Sequence, residues 1–329
     1  MTPRTEDHAT QAWIAARQKS IGATDASAIL GANKWRSALD VYFEKTGRGS
    51  KTEESWILRR GLHMEAGAKH EFSAMTGRHV IEPAAAIAQS ETPEYMVGLC
   101  ARSEVYGERV LVRHPTIHAH CTPDFFALRD DGIDLGEVKT AQDYARDEWL
   151  VAPPRHYWIQ VQHSMMVCGI AHASIVVVFW NEDPLVIDIP ADIEFQTFLS
   201  GHINTWWERH VVGNTPPDPV LGVDTASILR ATTAEQTTID LGPEAAALDA
   251  EIAAIDASLA PHKQAVKDLD EVKDLAKSKL LLMMGEHAIA RISTGAGTPV
   301  YWRRTETEIA ETIRKAYTMR KFARWQPKK

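Results

Sequence analysis

Cysteine is scarce in this chain. Among 329 residues only Cys100, Cys121 and Cys168 are cysteine, and no two form a CxxC pair. A disulfide framework, a structural zinc site and an iron–sulfur cluster built from cysteine alone are therefore excluded. Long apolar runs are missing too. No stretch reaches 18 apolar residues, and the opening MTPRTEDHATQAW has no apolar signal core. The sequence thus predicts no membrane association and a reduced, cytoplasmic setting. Signatures of several large enzyme classes are also absent. Without GxSxG or GxxxxGK[ST], hydrolases with a nucleophile elbow and P-loop nucleotide hydrolases lack their carriers, so no nucleotide cofactor is expected. There are 14 histidines, yet no helical stretch carries HxxxH or HExxH, which removes the common zinc-hydrolase pattern.

An excess of positive charge is lacking as well. Lys and Arg number 36 against 44 Asp and Glu, a net −8. A protein that coats nucleic acid is disfavoured, and contact with a polyanion would need local basic patches. The imbalance is uneven. Residues 1–217 carry the whole −8, whereas 303–329 hold nine basic and three acidic side chains. This basic tail interleaves Tyr317, Phe322 and Trp325 with arginine and lysine, a mixture that suits phosphates and unstacked bases or, alternatively, an amphipathic packing helix.

Composition is otherwise that of a globular protein, 44% hydrophobic and 24% charged. Three regions are expected: 1–219 as the main domain, 220–241 as a linker announced by GNTPPDPVLG, and 242–329 as an appendage. In the main domain short strand patterns cover 109–113, 116–121, 125–129, 135–139, 173–180 and 185–189. Helical patterns cover 24–30, 38–45, 57–76, 157–167 and 193–211. The expected class is α/β, a central mixed sheet flanked by helices. In the appendage Leu248, Ile252, Ile255 and Leu259 recur at 4, 3 and 4, a coiled-coil seam. Pro261 would let a helical hairpin form, and ARISTGAGTPVYWRR reads as a β-hairpin.

The segment CTPDFFALRDDGIDLGEVKT, residues 121–140, concentrates the chemistry. Pro123-Asp124 precedes a strand, Asp130-Asp131-Gly132 signals a turn, and Glu137-Val138-Lys139 lies on the returning strand. Positions i and i+2 share a strand face, so Glu137 and Lys139 point the same way. A hairpin symmetric about 130–133 would set Asp124 opposite Lys139. Two carboxylates suit Mg²⁺ or Mn²⁺, and an adjacent lysine can hold an attacking water, the equipment of metal-assisted phosphodiester hydrolysis. Glu271-Val272-Lys273 repeats the acid-x-Lys pattern, but in a charged helical run without the preceding Pro-Asp. Glu65 in GLHME lies on a helix that could face the sheet. Gln160 lies in another helix, on one face with Tyr157.

In chain order, RQKSIGATDASAILG, LDVYFEKTGR, RRGLHMEAGAKHEF, HPTIHAHCTPDFFA, LGEVKT and PPRHYWIQVQHSMMV resemble the YqaJ-type viral recombinases. These are exonucleases related to phage lambda exonuclease, within the PD-(D/E)xK nuclease superfamily. The resemblance runs from about Arg17 to Pro217 and implies a restriction-endonuclease-like core. It implies that Asp124, Glu137, the Val138 carbonyl and Glu65 serve a Mg²⁺ site, Mn²⁺ being a substitute. Lys139 and Gln160 would complete the catalytic set. Arg17, Ser27 and Thr122 would hold a terminal 5′-phosphate; Ser20 stands where a gap-free alignment places the pocket arginine. The implied activity is 5′-to-3′ degradation of linear double-stranded DNA from its ends, alongside a single-strand annealing protein, in bacterial or phage-infected cytoplasm. A homo-oligomeric ring of three is also implied. Two other readings share the same core: a non-catalytic DNA-end-binding or scaffold protein, and a structure-specific endonuclease.

Overall fold

The computed structural model describes residues 8–49, 56–88, 94–129, 132–220, 224, 228, 231, 239, 241–292 and 300–303. The chain divides into one compact unit within Met1–Thr233 and another within Ala234–Met319. The first begins with helices α1 (His8–Arg17), α2 (Ala23–Ile29), α3 (Ala38–Lys45) and α4 (Trp56–Thr76). Strand β1 (Val80–Ile81), helices α5 (Pro83–Ala88) and α6 (Glu94–Cys100), and strands β2 (Ser103–Tyr106), β3 (Arg109–Arg113) and β4 (His120–Cys121) follow. The central hairpin is β5 (Phe125–Arg129) and β6 (Gly132–Thr140). Helices α7 (Arg146–Val151) and α8 (Arg155–Cys168) lead to β7 (His172–Val178), β8 (Leu185–Pro190) and α9 (Ile193–Trp206).

The main sheet has the order β1-β5-β6-β7-β8. Only the β6–β7 pair is parallel; the other three are antiparallel. A parallel pair needs a crossover, which α7 and α8 provide. Helices cover both faces, as the pattern of apolar residues requires. Leu135, Ile175 and Val177 join the main core with Val161 and Met165 of α8. On the opposite face Val138, Phe125, Ala127 and Val176 close against Ala68 and Phe72 of α4. Phe72 is fully buried, so truncating it to alanine would cost about 3–5 kcal/mol. A second sheet, β2-β3-β4, carries His120 at its edge.

Two details fix the hairpin. A Cβ at Gly136 would lie 2.2 Å from the ring of Phe125, so this position admits no side chain while that ring stays in place. The register pairs Phe125 with Gly136 and Arg129 with Gly132. Continued one step, it sets Asp124 level with Glu137, two residues short of the Lys139 that symmetry about 130–133 predicts. The connection between paired residues is only 130–131, tighter than a hairpin symmetric about 130–133. Asp130 and Asp131 themselves lie outside the described residues.

Another difference is at 116–121, where the alternation of IHAHC imitates a strand. Only His120 and Cys121 are one. Upstream, His114 Nδ1 accepts the N–H groups of Thr116 and Ile117 at 3.2 and 3.3 Å, bending the chain into a turn. Within 220–241, Asp224 is buried and accepts the Val220 N–H at 2.6 Å, while Ile228 and Ala231 pack on the main core.

In the second unit the helical hairpin expected over 242–284 is replaced by one continuous helix, α10 (Gly242–Met284), with Pro261 inside it. Proline removes one N–H donor and crowds the preceding turn. Reversal would need residues that tolerate a left-handed turn, and between Pro243 and Met284 there is neither glycine nor asparagine. Gly285, at φ 58°, ends the helix instead. Strands β9 (Ile289–Ile292) and β10 (Val300–Arg303) pair antiparallel, as the β-hairpin pattern predicts. Its Gly-rich connection and the basic tail beyond Arg303 lie outside the described residues.

Candidate active site

Strand alternation places Glu137 and Lys139 on the sheet face that α8 covers. Lys139 Nζ ion-pairs with Glu137 Oε1. Gln160 Nε2, from α8, donates to the same oxygen at 2.5 Å. Asp124, just ahead of β5, accepts the Val138 N–H through Oδ2 at 2.8 Å, which pins the carboxylate to the neighbouring strand. The Lys139 ammonium also lies 5.0 Å above the Tyr157 ring, a cation–π contact one helical turn before Gln160. Asp124, Glu137, Lys139 and Gln160 are thus brought together.

Glu65 stands near them on α4. Its carboxyl is pushed up to about 7, by burial first and by the charge of Asp124 second. Glu137 is likewise raised to about 7, by burial and then by Asp124, which together outweigh the attraction of Lys139. Asp124 is raised as well, burial outweighing Lys139 and the Val138 hydrogen bond. Lys139 moves the other way. Burial alone would lower it, but Glu137 and Asp124 raise it, so it stays an ammonium at neutral pH.

Acids whose ionisation is opposed by burial and by one another form a site that a cation would relieve. No three His, Cys, Asp or Glu side chains among the described residues are grouped closely enough to hold a metal by themselves. Glu65 therefore does not close a three-acid cage. The donor set that fits is Asp124 and Glu137 with a backbone carbonyl such as that of Val138. This suits a hard cation that keeps several waters, as Mg²⁺ does.

The residues expected at a phosphate pocket fare differently. Ser27 is buried, and its hydroxyl donates to the Thr24 carbonyl at 2.9 Å and accepts from Asn33 Nδ2 at 3.3 Å. It is occupied within the fold and is not presented to a ligand. Arg17 stacks on Trp13 at 4.5 Å beside a buried ion cluster. In that cluster Asp25 meets Lys45 at 2.7 Å and Arg36 at 2.8 Å. Burial opposes the Asp25 charge, but Lys45, Arg36 and Arg17 overcome it and hold the carboxyl below the usual range. Ser20, which stands where a gap-free alignment places the pocket arginine, bonds His120 Nδ1 at 2.8 Å. Thr122 is half-buried, two residues beyond His120.

Several neighbours were not singled out from sequence. Lys69, one turn after Glu65, bonds Glu82 at 2.8 Å, and the i, i+4 spacing from Glu65 was the available signal. Trp35, 67% exposed, sets its ring edge-on to His156 at 5.2 Å, and His156 meets Tyr157 at 4.0 Å. Arg60 stacks on the exposed Trp180 at 4.5 Å and reaches Thr140 Oγ1 at 3.5 Å. Two exposed indoles are thereby tied to consecutive residues, Lys139 through Tyr157 and Thr140 through Arg60. Nothing in the spacing of Trp35 or Trp180 marks them.

A YqaJ-like viral recombinase domain matches residues 12–171. An uncharacterized protein YqaJ of Bacillus subtilis (strain 168) is 26% identical over 214 residues, which is 62% of this chain and 57% of that protein. The chain thus spans little more than half the length of this curated relative. Among solved structures, an alkaline exonuclease (LHK-Exo) from Laribacter hongkongensis is 16% identical. It covers 62% of this chain and 94% of its own, at a TM-score of 0.46. A phage related exonuclease from Haemophilus somnus 129PT is 11% identical, covering 60% of this chain and 96% of its own, at a TM-score of 0.34. The matched span takes in the hairpin of Asp124 and Glu137 together with the helices that supply Glu65 and Gln160, and over residues 12–171 this chain is similar to the YqaJ-like viral recombinase domain.

Proposed function

We propose that this protein is a divalent-metal-dependent deoxyribonuclease that hydrolyses linear double-stranded DNA from an end. The observation that carries the reading is the Glu137 carboxylate, gripped by Lys139 from its own strand and Gln160 from α8, beside an Asp124 locked onto Val138. Asp124, Glu137 and the Val138 carbonyl would hold Mg²⁺ or Mn²⁺. When bound, the cation supplies Lewis-acid polarisation of the scissile phosphate and a more acidic water.

The remaining chemistry belongs to the chain. Lys139 stays protonated, so it acts as a donor and not as a base: it orients the attacking water and stabilises charge on the phosphate. Gln160 fixes the orientation of Glu137, and Tyr157 restrains the lysine. Trp35 and Trp180 offer π-faces to bases near the cut, with Lys34 and Arg60 stacked on them as cations. Arg17 and Thr122 are the proposed contacts to a terminal 5′-phosphate, which would impose 5′-to-3′ polarity and leave a 3′ strand for a single-strand annealing protein.

The test compares linear and closed-circular duplex DNA with Mg²⁺ present. Degradation of the linear form alone supports the proposal. Nicking or cutting of the circle at a comparable rate would replace it with an endonuclease. No degradation of either form, with end binding retained, would leave a non-catalytic end-binding protein.

A further inference from the structure

Helix α10 carries an exposed apolar seam. Its 43 residues span about 65 Å, yet Met284 is the one residue of the helix that is buried. Leu248, Ile252, Ile255, Leu259, Val266 and Leu269 are between 41% and 69% exposed. They follow a single 3–4 spacing through the helix centre, with His262 completing the step between Leu259 and Val266. The spacing continues through Lys273, Ala276 and Leu280 to Met283. Pro261 lies off this line, next to the seam and not on it. Because the helix does not fold back, the seam has no partner within α10.

We propose that α10 pairs with α10 of a second copy of this chain as an antiparallel coiled coil. Orientation follows from charge. The helix is acidic in its first half, where Glu244, Asp249, Glu251 and Asp256 stand without a lysine or arginine. All five lysines, Lys263, Lys267, Lys273, Lys277 and Lys279, fall in the second half, where with Asp268, Asp270, Glu271 and Asp274 they leave a net charge of only +1. In a parallel pair the positions flanking the seam would set Glu244 against Asp249 of the second copy and Glu251 against its Asp256. Lys273 would face itself across the seam. These contacts are repulsive, and no attractive flanking pair offsets them.

In the antiparallel pair the seam layers match end to end. Leu248 meets Leu280 of the second copy, Ile252 meets Ala276, Ile255 meets Lys273, and Leu259 meets Leu269. The flanks then join Asp249 to Lys277 and Glu251 to Lys279, four contacts by symmetry. In the middle Asp256 comes level with Asp270 of the second copy, twice by symmetry, and Lys263 with Lys263 of the second copy. Lys273 enters the Ile255 layer beside Asp256 and answers its charge, and the four attractive flank contacts outnumber these three repulsive ones. The lysine ion pairs within α10, Lys273 with Asp270 and Lys277 with Asp274, are exposed and weak, so they can be exchanged for contacts across the pair. The inference concerns the second unit and does not depend on whether the first cuts DNA.

Sedimentation and chemical cross-linking of the full chain test it. The wild-type chain is expected to sediment as more than one 36.6 kDa chain, and Ile252→Asp with Leu259→Asp is expected to reduce that mass. Lys277→Glu with Lys279→Glu should weaken association, and adding Asp249→Lys with Glu251→Lys should restore it. A chain with Leu248→Cys mixed with one bearing Leu280→Cys should form a mixed disulfide, and Leu248→Cys alone should not. A single-chain mass overturns the proposal, as does a mass indifferent to the seam changes. Self-cross-linking of the Leu248→Cys chain would establish the parallel arrangement and overturn the orientation.

Discussion

Replacing Asp124 by asparagine separates the charge of this residue from its shape. The amide side chain retains an oxygen to accept the Val138 N–H, so the local structure should survive. Glu137, however, loses a negative neighbour. Its carboxyl stands at about 7 where 4.5 is ordinary, a displacement equivalent to roughly 3 kcal/mol at most. Burial is the larger cause and Asp124 the second, so relief from the substitution is about 1 kcal/mol. The sign is set by linkage. A folded pKa above the unfolded one means that the folded state holds the proton more tightly. This contribution to stability is complete below about 4.5 and is lost as pH rises through about 7. Metal-free wild-type protein should therefore lose stability from this site between about pH 5 and pH 8. At pH 8 the Asp124→Asn protein should melt higher by about 2–4 °C, and at pH 5 the difference should shrink. Mg²⁺ should raise the melting temperature of the wild type and do so far less for the variant, whose activity should fall at least about a hundredfold. Calorimetry at both pH values, with chelator and with Mg²⁺, reads the stability changes, and a nuclease assay reads the activity. An advantage that does not depend on pH, or equal stabilisation of both proteins by Mg²⁺, would refute the reasoning.

Arg17→Ala should slow initiation on 5′-phosphorylated ends by roughly tenfold to a hundredfold and change 5′-hydroxyl ends much less, as end-labelled duplexes will show; equal losses would make Arg17 a general contact. Trp35→Ala should weaken binding of frayed or single-stranded ends by about 1–3 kcal/mol without lowering the melting temperature, measured by fluorescence anisotropy with Ca²⁺ in place of Mg²⁺. Gly136→Ala should destabilise the first unit, because the new methyl group would occupy the place of the Phe125 ring. A denaturant midpoint unchanged from wild type would show that the ring moves aside at no cost.

Sequence alone disclosed what depends on local pattern. Strand alternation put Glu137 and Lys139 on one face, and the apolar spacing found α3, β3 and the central hairpin because their periods are strong. The parallel pairing of β6 with β7 was not legible, since pairing between distant strands is written in tertiary packing. Asp124 was recognisable as a partner, but its level on the sheet was displaced by two residues because turn length is a poor guide to register. Ser27 looked available by its residue type, yet its hydroxyl is consumed by a backbone carbonyl and an asparagine. The indoles of Trp35 and Trp180 became meaningful only when the fold tied them to Lys139 and Thr140. Pro261 suggested a break, and its neighbours, all tolerant of helix, decided otherwise.

The central claim is that Asp124, Glu137 and Lys139 perform metal-dependent hydrolysis. Its most direct test follows release of nucleotides from a linear duplex labelled at one 5′ end, using the wild-type protein and the Lys139→Ala variant, each with Mg²⁺ and with excess chelator. The account predicts release by the wild type with Mg²⁺, none in chelator, and a loss of at least about a hundredfold in the Lys139→Ala protein while its melting temperature and DNA affinity persist. Release that continues in chelator, or a Lys139→Ala protein as active as the wild type, would contradict it.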